Sequence, residues 1–245
     1  MNRKKFIKTS ILAGMATAVL PHLSFGTFQD PYTRDQLIGK ANEPFVGTDF
    51  KMQQDAFNSF IRMRTAAEVH NISIELVSAY RSFQRQKEIF EGKYQRFTSQ
   101  GSTPTQAIEK IIEYSTIPGT SRHHWGTDID IIDGNAPRPK SVLEARHFHG
   151  DGPFCKLKEW LNEHANSYGF YEVYTNNASR KGFKYEPWHF SYAPISVPML
   201  QAYKNLDVKK ILQEEQIKGS AHFTDEFIAT YRAQNILDIN PELLS

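Results

Sequence analysis

The chain has 245 residues, 40% hydrophobic and 23% charged, with 14 glycines and 12 prolines. That balance excludes a disordered or collagen-like chain and leaves ample apolar residues for a core. The formal net charge of +2 is misleading: Arg3, Lys4, Lys5 and Lys8 stand in a first segment, residues 1–26, that holds no acid, so the remainder carries −2. A nucleic-acid-binding protein keeps its basic excess in the folded part, which argues against nucleic acid as a partner. No apolar run reaches the ~20 residues needed to span a bilayer.

Residues 1–26 read as a secretory signal peptide, and the protein as exported to the periplasm or another extracytoplasmic space. A basic start is followed by the small and apolar stretch 9–20, then Pro21 and Ser24-Phe25-Gly26. The alternative is an anchor helix that is never cleaved. The run Arg3-Lys4-Lys5-Phe6-Ile7-Lys8 also resembles a degraded twin-arginine signal, and no cysteine follows it to carry lipid.

Further along, residues 55–70 have Phe57, Phe60, Ile61 and Ala67 at helical spacing. Residues 72–80 alternate as a strand, 82–94 return to a helical pattern, and Thr105 is a candidate cap for a helix running to about Tyr114. A turn at Ile117-Pro118-Gly119-Thr120 precedes a strand over 126–132, and 135–152 is loop-rich. Residues 154–168 read as a helix stopped by Gly169. The lone cysteine, Cys155, allows no intrachain disulfide and reads as a small buried hydrophobe in that helix. Residues 170–175 and 183–192 look like two strands joined by a polar turn. The aromatics Phe170, Tyr171, Tyr174, Phe183 and Tyr185 read as packing there. From 197 onward the pattern is helical, broken at Lys218-Gly219-Ser220. Helices mixed with hairpin-connected strands indicate an α+β fold with a mainly antiparallel sheet.

The chemistry concentrates in two segments, Ser121-Arg122-His123-His124-Trp125-Gly126-Thr127-Asp128-Ile129-Asp130 and Tyr185-Glu186-Pro187-Trp188-His189-Phe190. Two imidazoles and a carboxylate leave one position of a tetrahedral Zn²⁺ open for water, and a further carboxylate can serve as general base. On spacing alone His124 competes with His123. Asp128 shares strand parity with Asp130 and reads as a support or a solvated group rather than a ligand. Glu186 and His189 have opposite parity in an extended strand, and the residue before a proline is pushed out of helical conformation. Glu186 must therefore reach the site from a bend. His147 and His149 alternate in a loop, as a site wall or simply solvated. There is no Gly-x-Ser-x-Gly elbow around Ser121 and no phosphate-binding loop.

The pattern Ser121-x-His123-x-x-Gly126-x-x-x-Asp130 followed by Glu186-Pro187-Trp188-His189 resembles the VanY-type zinc D-alanyl-D-alanine carboxypeptidases. The upstream Ser78-Ala79-Tyr80-Arg81-Ser82-Phe83-x-x-Gln86 is similar to the segment in which they carry a substrate-binding arginine. The resemblance runs from about residue 50 to 195. It implies the hedgehog/DD-peptidase fold, a small sheet flanked by helices, as a catalytic domain over 27–196 with a helical appendage at 197–245. It implies one Zn²⁺ on His123, Asp130 and His189, with Glu186 activating the zinc-bound water. Arg81 would stabilise negative charge on the substrate, and Ser121 and Gln86 would contact it. Such a protein would trim peptidoglycan stem peptides and would not stay inserted in a membrane after signal cleavage. A zinc endopeptidase shares every metal-site residue, and a zinc-stabilised binding module is the third reading. The position of Asp128 departs from the family, which usually places a small or apolar residue there.

Overall fold

The computed structural model describes residues 31–245, so the segment read as a signal peptide lies outside the described residues. The short helix α1 (Arg34–Leu37) precedes α2 (Gln54–Glu68), which buries Ala56, Phe60, Met63 and Ala67 at the spacing its sequence dictates. Strand β1 (Ile74–Ser78) leads into α3 (Phe83–Ser99), whose first turn is capped by Ser82 Oγ accepting from the Arg85 N–H at 3.1 Å. Helix α4 (Pro104–Ile111) is capped by Thr103, not Thr105. Thr103 and Gln106 form a reciprocal capping box, and Pro104 occupies the first turn, where its missing N–H costs nothing.

A 3₁₀ turn, Arg122–Trp125, enters β2 (Asp128–Asp133). Gly126 ends that turn at φ +67°, and a Cβ there would meet the Phe45 ring at 2.7 Å, so both backbone and space demand glycine. Helix α5 (Cys155–His164) passes through a 3₁₀ turn and stops at Gly169, at φ +76°. Cys155 is only half-buried, in the first turn of α5. Its Sγ points to the Gly150 carbonyl at 3.1 Å and away from the core.

Strands β3 (Phe170–Glu172) and β4 (His189–Tyr192) are far shorter than the sequence pattern suggests. The intervening chain is held elsewhere: Arg180 donates to the carbonyls of Asp238, Thr175 and Phe183, and the Lys181 N–H donates to Asp238. The sheet is antiparallel throughout, in the order β1-β2-β4-β3.

The remaining helices are α6 (Ala193–Lys204), α7 (Val208–Glu214) and α8 (Asp225–Tyr231), the last running into a π turn. None of the helices among the described residues is long and apolar enough to cross a membrane. Two apolar clusters form. One joins α2, the sheet and α5 through Phe60, Ile129, Ile131, Leu157 and Phe190. The other joins α1, α3, α4 and the C-terminal helices through Leu37, Phe90, Ile108, Leu200 and Tyr231.

Candidate metal centre and substrate cavity

In the β2–β4 pairing Asp130 lies opposite His189 and Asp128 opposite Ser191, so all four side chains share one face, as the parity of Asp128 and Asp130 requires. The 3₁₀ turn delivers His123 beside them, its ring 4.7 Å from that of His189. A bulge after Leu76 brings the chain after β1 alongside this turn: the Arg81 N–H donates to the His123 carbonyl, and His123 Nδ1–H donates to the Ala79 carbonyl at 2.8 Å. Nε2 of His123 is thereby left free, 3.5 Å from Asp130 Oδ2.

Glu186 arrives from a turn. The His189 N–H donates to the Glu186 carbonyl across Pro187-Trp188, which puts the Glu186 carboxylate 2.9 Å from His189 Nδ1. The other ring nitrogen, Nε2, donates to Asp128 Oδ2 at 2.9 Å. Asp128 is fully buried and takes three more hydrogen bonds, from Arg122 Nε (3.1 Å), Ser191 Oγ (2.6 Å) and Thr127 Oγ1 (2.9 Å). It is a support of His189, not a solvated group.

His123, Asp130 and His189 are buried and can present one ligand atom each, all within 4.8 Å of one another. Zn–N bonds of about 2.0–2.1 Å place neighbouring tetrahedral ligands about 3.3 Å apart; here His123 Nε2 and His189 Nδ1 lie 3.5 Å and 3.9 Å from the Asp130 oxygens. The electrostatics fit a cation as well. Burial, with Glu186 and Asp128 nearby, pushes the Asp130 carboxyl up to about 6. Burial and the Arg81 guanidinium hold His123 well below its ordinary value, hence neutral and able to donate a lone pair. For His189, burial would lower the pKa, but Asp128, Glu186 and Asp130 outweigh it and raise it to about 10. A proton on Nδ1 thus occupies the place a metal ion would take.

His124 is no competitor for the metal. Its Nδ1–H donates to the Arg81 carbonyl at 2.6 Å and its Nε2 accepts from the Gly119 N–H at 3.1 Å, so both nitrogens are spent on backbone. Its pKa falls to about 4 through burial, which keeps it neutral.

The cluster opens into a cavity of about 610 Å³, lined on the cluster side by His123, Asp130, Glu186 and His189. Arg81 and Ser121 lie on its wall. Gln86 does not: it is fully buried, accepting from Arg81 Nη1 at 2.8 Å and donating to the Thr116 carbonyl at 2.7 Å, so it holds the arginine in place. Ser78 Oγ holds the other terminal nitrogen at 3.0 Å. Neither His147 nor His149 lines the cavity. His147 packs on Phe154 and His149 bonds the Tyr185 hydroxyl at 2.9 Å. Residues 143–146, just before them, do form part of the wall.

The family model for VanY, D-alanyl-D-alanine carboxypeptidase, matches residues 49–195. The chain belongs to that family. An uncharacterized protein of Haemophilus influenzae is 35% identical over 106 residues, covering 42% of this chain and 81% of its own length. A D-alanyl-D-alanine carboxypeptidase of Enterococcus faecalis is 26% identical over 152 residues, 62% of this chain; the match spans only 52% of that relative. Among solved structures, VanYB in complex with D-alanine-D-alanine superposes with a TM-score of 0.51 at 21% identity, covering 72% of this chain and 92% of the other, which establishes a shared fold.

Within this VanY-family cavity, sequence reasoning missed Lys93, Tyr114, Thr116 and the 143–146 segment. Only Lys93 left a usable signal, seven residues after Gln86 and so on the same helix face.

Proposed function

We propose that this VanY-family protein is an exported zinc metallopeptidase that removes the terminal D-alanine from peptidoglycan stem peptides. The observation that carries the reading is a fourth group, the Glu186 carboxylate, turned onto the His-Asp-His cluster and facing the same cavity. A purely structural metal site has no use for it.

In this reading His123 would hold the metal through Nε2, His189 through Nδ1 and Asp130 through its carboxylate. Bound zinc would supply Lewis acidity at the scissile carbonyl and lower the pKa of water there. Glu186 takes a proton from the attacking water as the C–O bond forms, then passes it to the departing amine as the C–N bond breaks. Arg81, held by Gln86 and Ser78, presents its guanidinium to the negative charge that develops on the substrate. Residues 27–196 make up the catalytic domain. Residues 197–245 serve as its helical appendage, with Tyr203 and Tyr231 bracing the turn that leads to Ser121. Residues 1–26 act as the export signal; the mature protein from the cell envelope is expected to begin after them on N-terminal sequencing.

The test is incubation of zinc-loaded protein with a muramyl pentapeptide ending in D-Ala-D-Ala, with products weighed by mass spectrometry. Loss of one alanine, abolished by chelator, is expected. An internal cut would transfer the protein to the endopeptidases. No cleavage of this peptide or of whole peptidoglycan, with zinc bound, would leave a binding module.

A further inference from the structure

The cavity is larger than the reaction proposed for it requires. Its volume of about 610 Å³ lies in the range that encloses a whole drug-sized ligand, whereas the scissile bond joins two alanyl residues, among the smallest there are. The cluster of His123, Asp130, Glu186 and His189 is buried, and the lining grows more exposed away from it. Among the described residues, two apolar side chains of that outer lining, Ile89 and Tyr114, belong to neither apolar cluster. Tyr114 stands just beyond the end of α4, where its backbone N–H donates to the Ile111 carbonyl at 3.3 Å. It is 55% exposed, its ring meets no other aromatic ring among the described residues, and its hydroxyl makes no hydrogen bond there. Ile89 is half-buried on the face of α3 that also carries Lys93. Leu143, half-buried too, joins them from the loop ahead of α5. The charges beside Leu143 are already matched, because Arg146 and Glu144 pair with each other at 2.7 Å. An uncovered aromatic ring beside two half-buried aliphatic side chains, at the mouth of a cavity, describes a ledge for an alkyl group.

We propose that Ile89, Tyr114 and Leu143 form an apolar subsite for the substrate residue immediately N-terminal to the D-Ala-D-Ala pair, and that Tyr114 makes the cavity prefer a long, unbranched alkyl side chain there. The proposal rests on the peptidase reading for the direction of the chain. A carboxypeptidase substrate ends near the cluster, so the part that leaves by the mouth is its N-terminal part. The two alanyl side chains are methyl groups, and the residue before them is the first whose side chain can be long. Tyr114 offers that side chain a flat face with only two torsions of its own to fix, so little entropy is lost when an alkyl chain lies on it.

The experiment compares two peptides, acyl-X-D-Ala-D-Ala with X either norleucine or alanine, which differ by three methylenes and no charge. Binding is measured by calorimetry on the zinc-loaded Glu186→Gln protein, so that turnover does not interfere. The norleucine peptide should bind about tenfold more tightly, the effect of three methylenes partly removed from water. That comparison needs no change at the ledge itself. Adding Tyr114→Ala should cut the preference to about twofold, while Tyr114→Phe retains it; an unchanged melting temperature and zinc content certify the fold. Equal binding of the two peptides, or a preference that survives Tyr114→Ala, overturns the proposal. Turnover by the protein with Glu186 intact judges the peptidase reading separately. Alanine release without a norleucine preference would sink the ledge and keep the carboxypeptidase. A Tyr114-dependent preference without alanine release would keep the ledge and sink the carboxypeptidase. A protein that binds neither peptide would sink both.

Discussion

On one side of the cavity, His123, Asp130 and His189 are carried by paired strands and a tight 3₁₀ turn, and each imidazole has its outer nitrogen tied to the Ala79 carbonyl or to Asp128. Elsewhere on its lining, Lys93 and Thr116 are carried by a helix and a loop; Thr116 Oγ1 has no hydrogen-bond partner, and no hydrogen bond or ion pair holds the Lys93 ammonium among the described residues. A metal needs its ligands fixed to within a few tenths of an ångström before it arrives, so the strands and their hydrogen bonds must do that in advance. A flexible ligand needs only reachable donors, which side chains on a helix and a loop can adjust to offer. Preorganisation is concentrated where the reaction demands it.

That contrast can be broken most forcefully at Glu186. Glu186→Gln keeps size and a hydrogen-bonding oxygen but removes the carboxylate proposed as the base. Alanine release should fall by about 10²–10⁴-fold with zinc content unchanged by elemental analysis. Activity within a few-fold of the parent would mean another group moves the proton.

A smaller effect is expected at Asp128. Asp128→Asn can still accept from His189 Nε2–H, but it no longer balances the buried Arg122 guanidinium. Zinc affinity, measured by competition with a chromogenic chelator, should drop about 10–100-fold. Unaltered affinity would reduce the network to packing.

The mildest test addresses the C-terminal helices. The Tyr231 hydroxyl accepts from the Ile117 N–H at 3.1 Å and bonds Thr120 Oγ1 at 2.8 Å. Tyr231→Phe should cost about 1–3 kcal/mol in denaturant unfolding, because the buried Ile117 N–H loses its partner and Thr120 Oγ1 keeps only the Ile117 carbonyl. Zinc affinity should hold, since Asp130 and His189 stand on paired strands and His123 is tied to the Ala79 carbonyl; a parallel loss of zinc would show that the two sides are not independent.

Much of the metal side was legible in the sequence, because local rules govern it. Alternation located β1 and β2, and strand parity put Asp128 and Asp130 on one face. Pro187 forbade a helix, so Glu186 had to come from a bend, and the turn between Glu186 and His189 is that bend. The short β3 and β4 were illegible for the opposite reason. The chain from 173 to 183 is held by Asp238 and Asn240, more than fifty residues away, and nothing in its own pattern says so. Gln86 was placed against the substrate, whereas its amide is consumed by Arg81 and the Thr116 carbonyl, a matter of packing that spacing does not encode. Lys93 was one charge among many on a charged helix, and only the cavity singles it out.

His123, Asp130 and His189 are expected to hold one metal ion with Glu186 beside it. Crystals of the zinc-loaded protein, measured on both sides of the zinc absorption edge, test this without any assay of activity. The account predicts a single strong anomalous peak bonded to His123 Nε2, His189 Nδ1 and an Asp130 oxygen at about 2.0–2.2 Å, with Asp128 still on His189 Nε2. A peak on His124, His147 or His149, zinc bound through Asp128, or no peak at the cluster would contradict it.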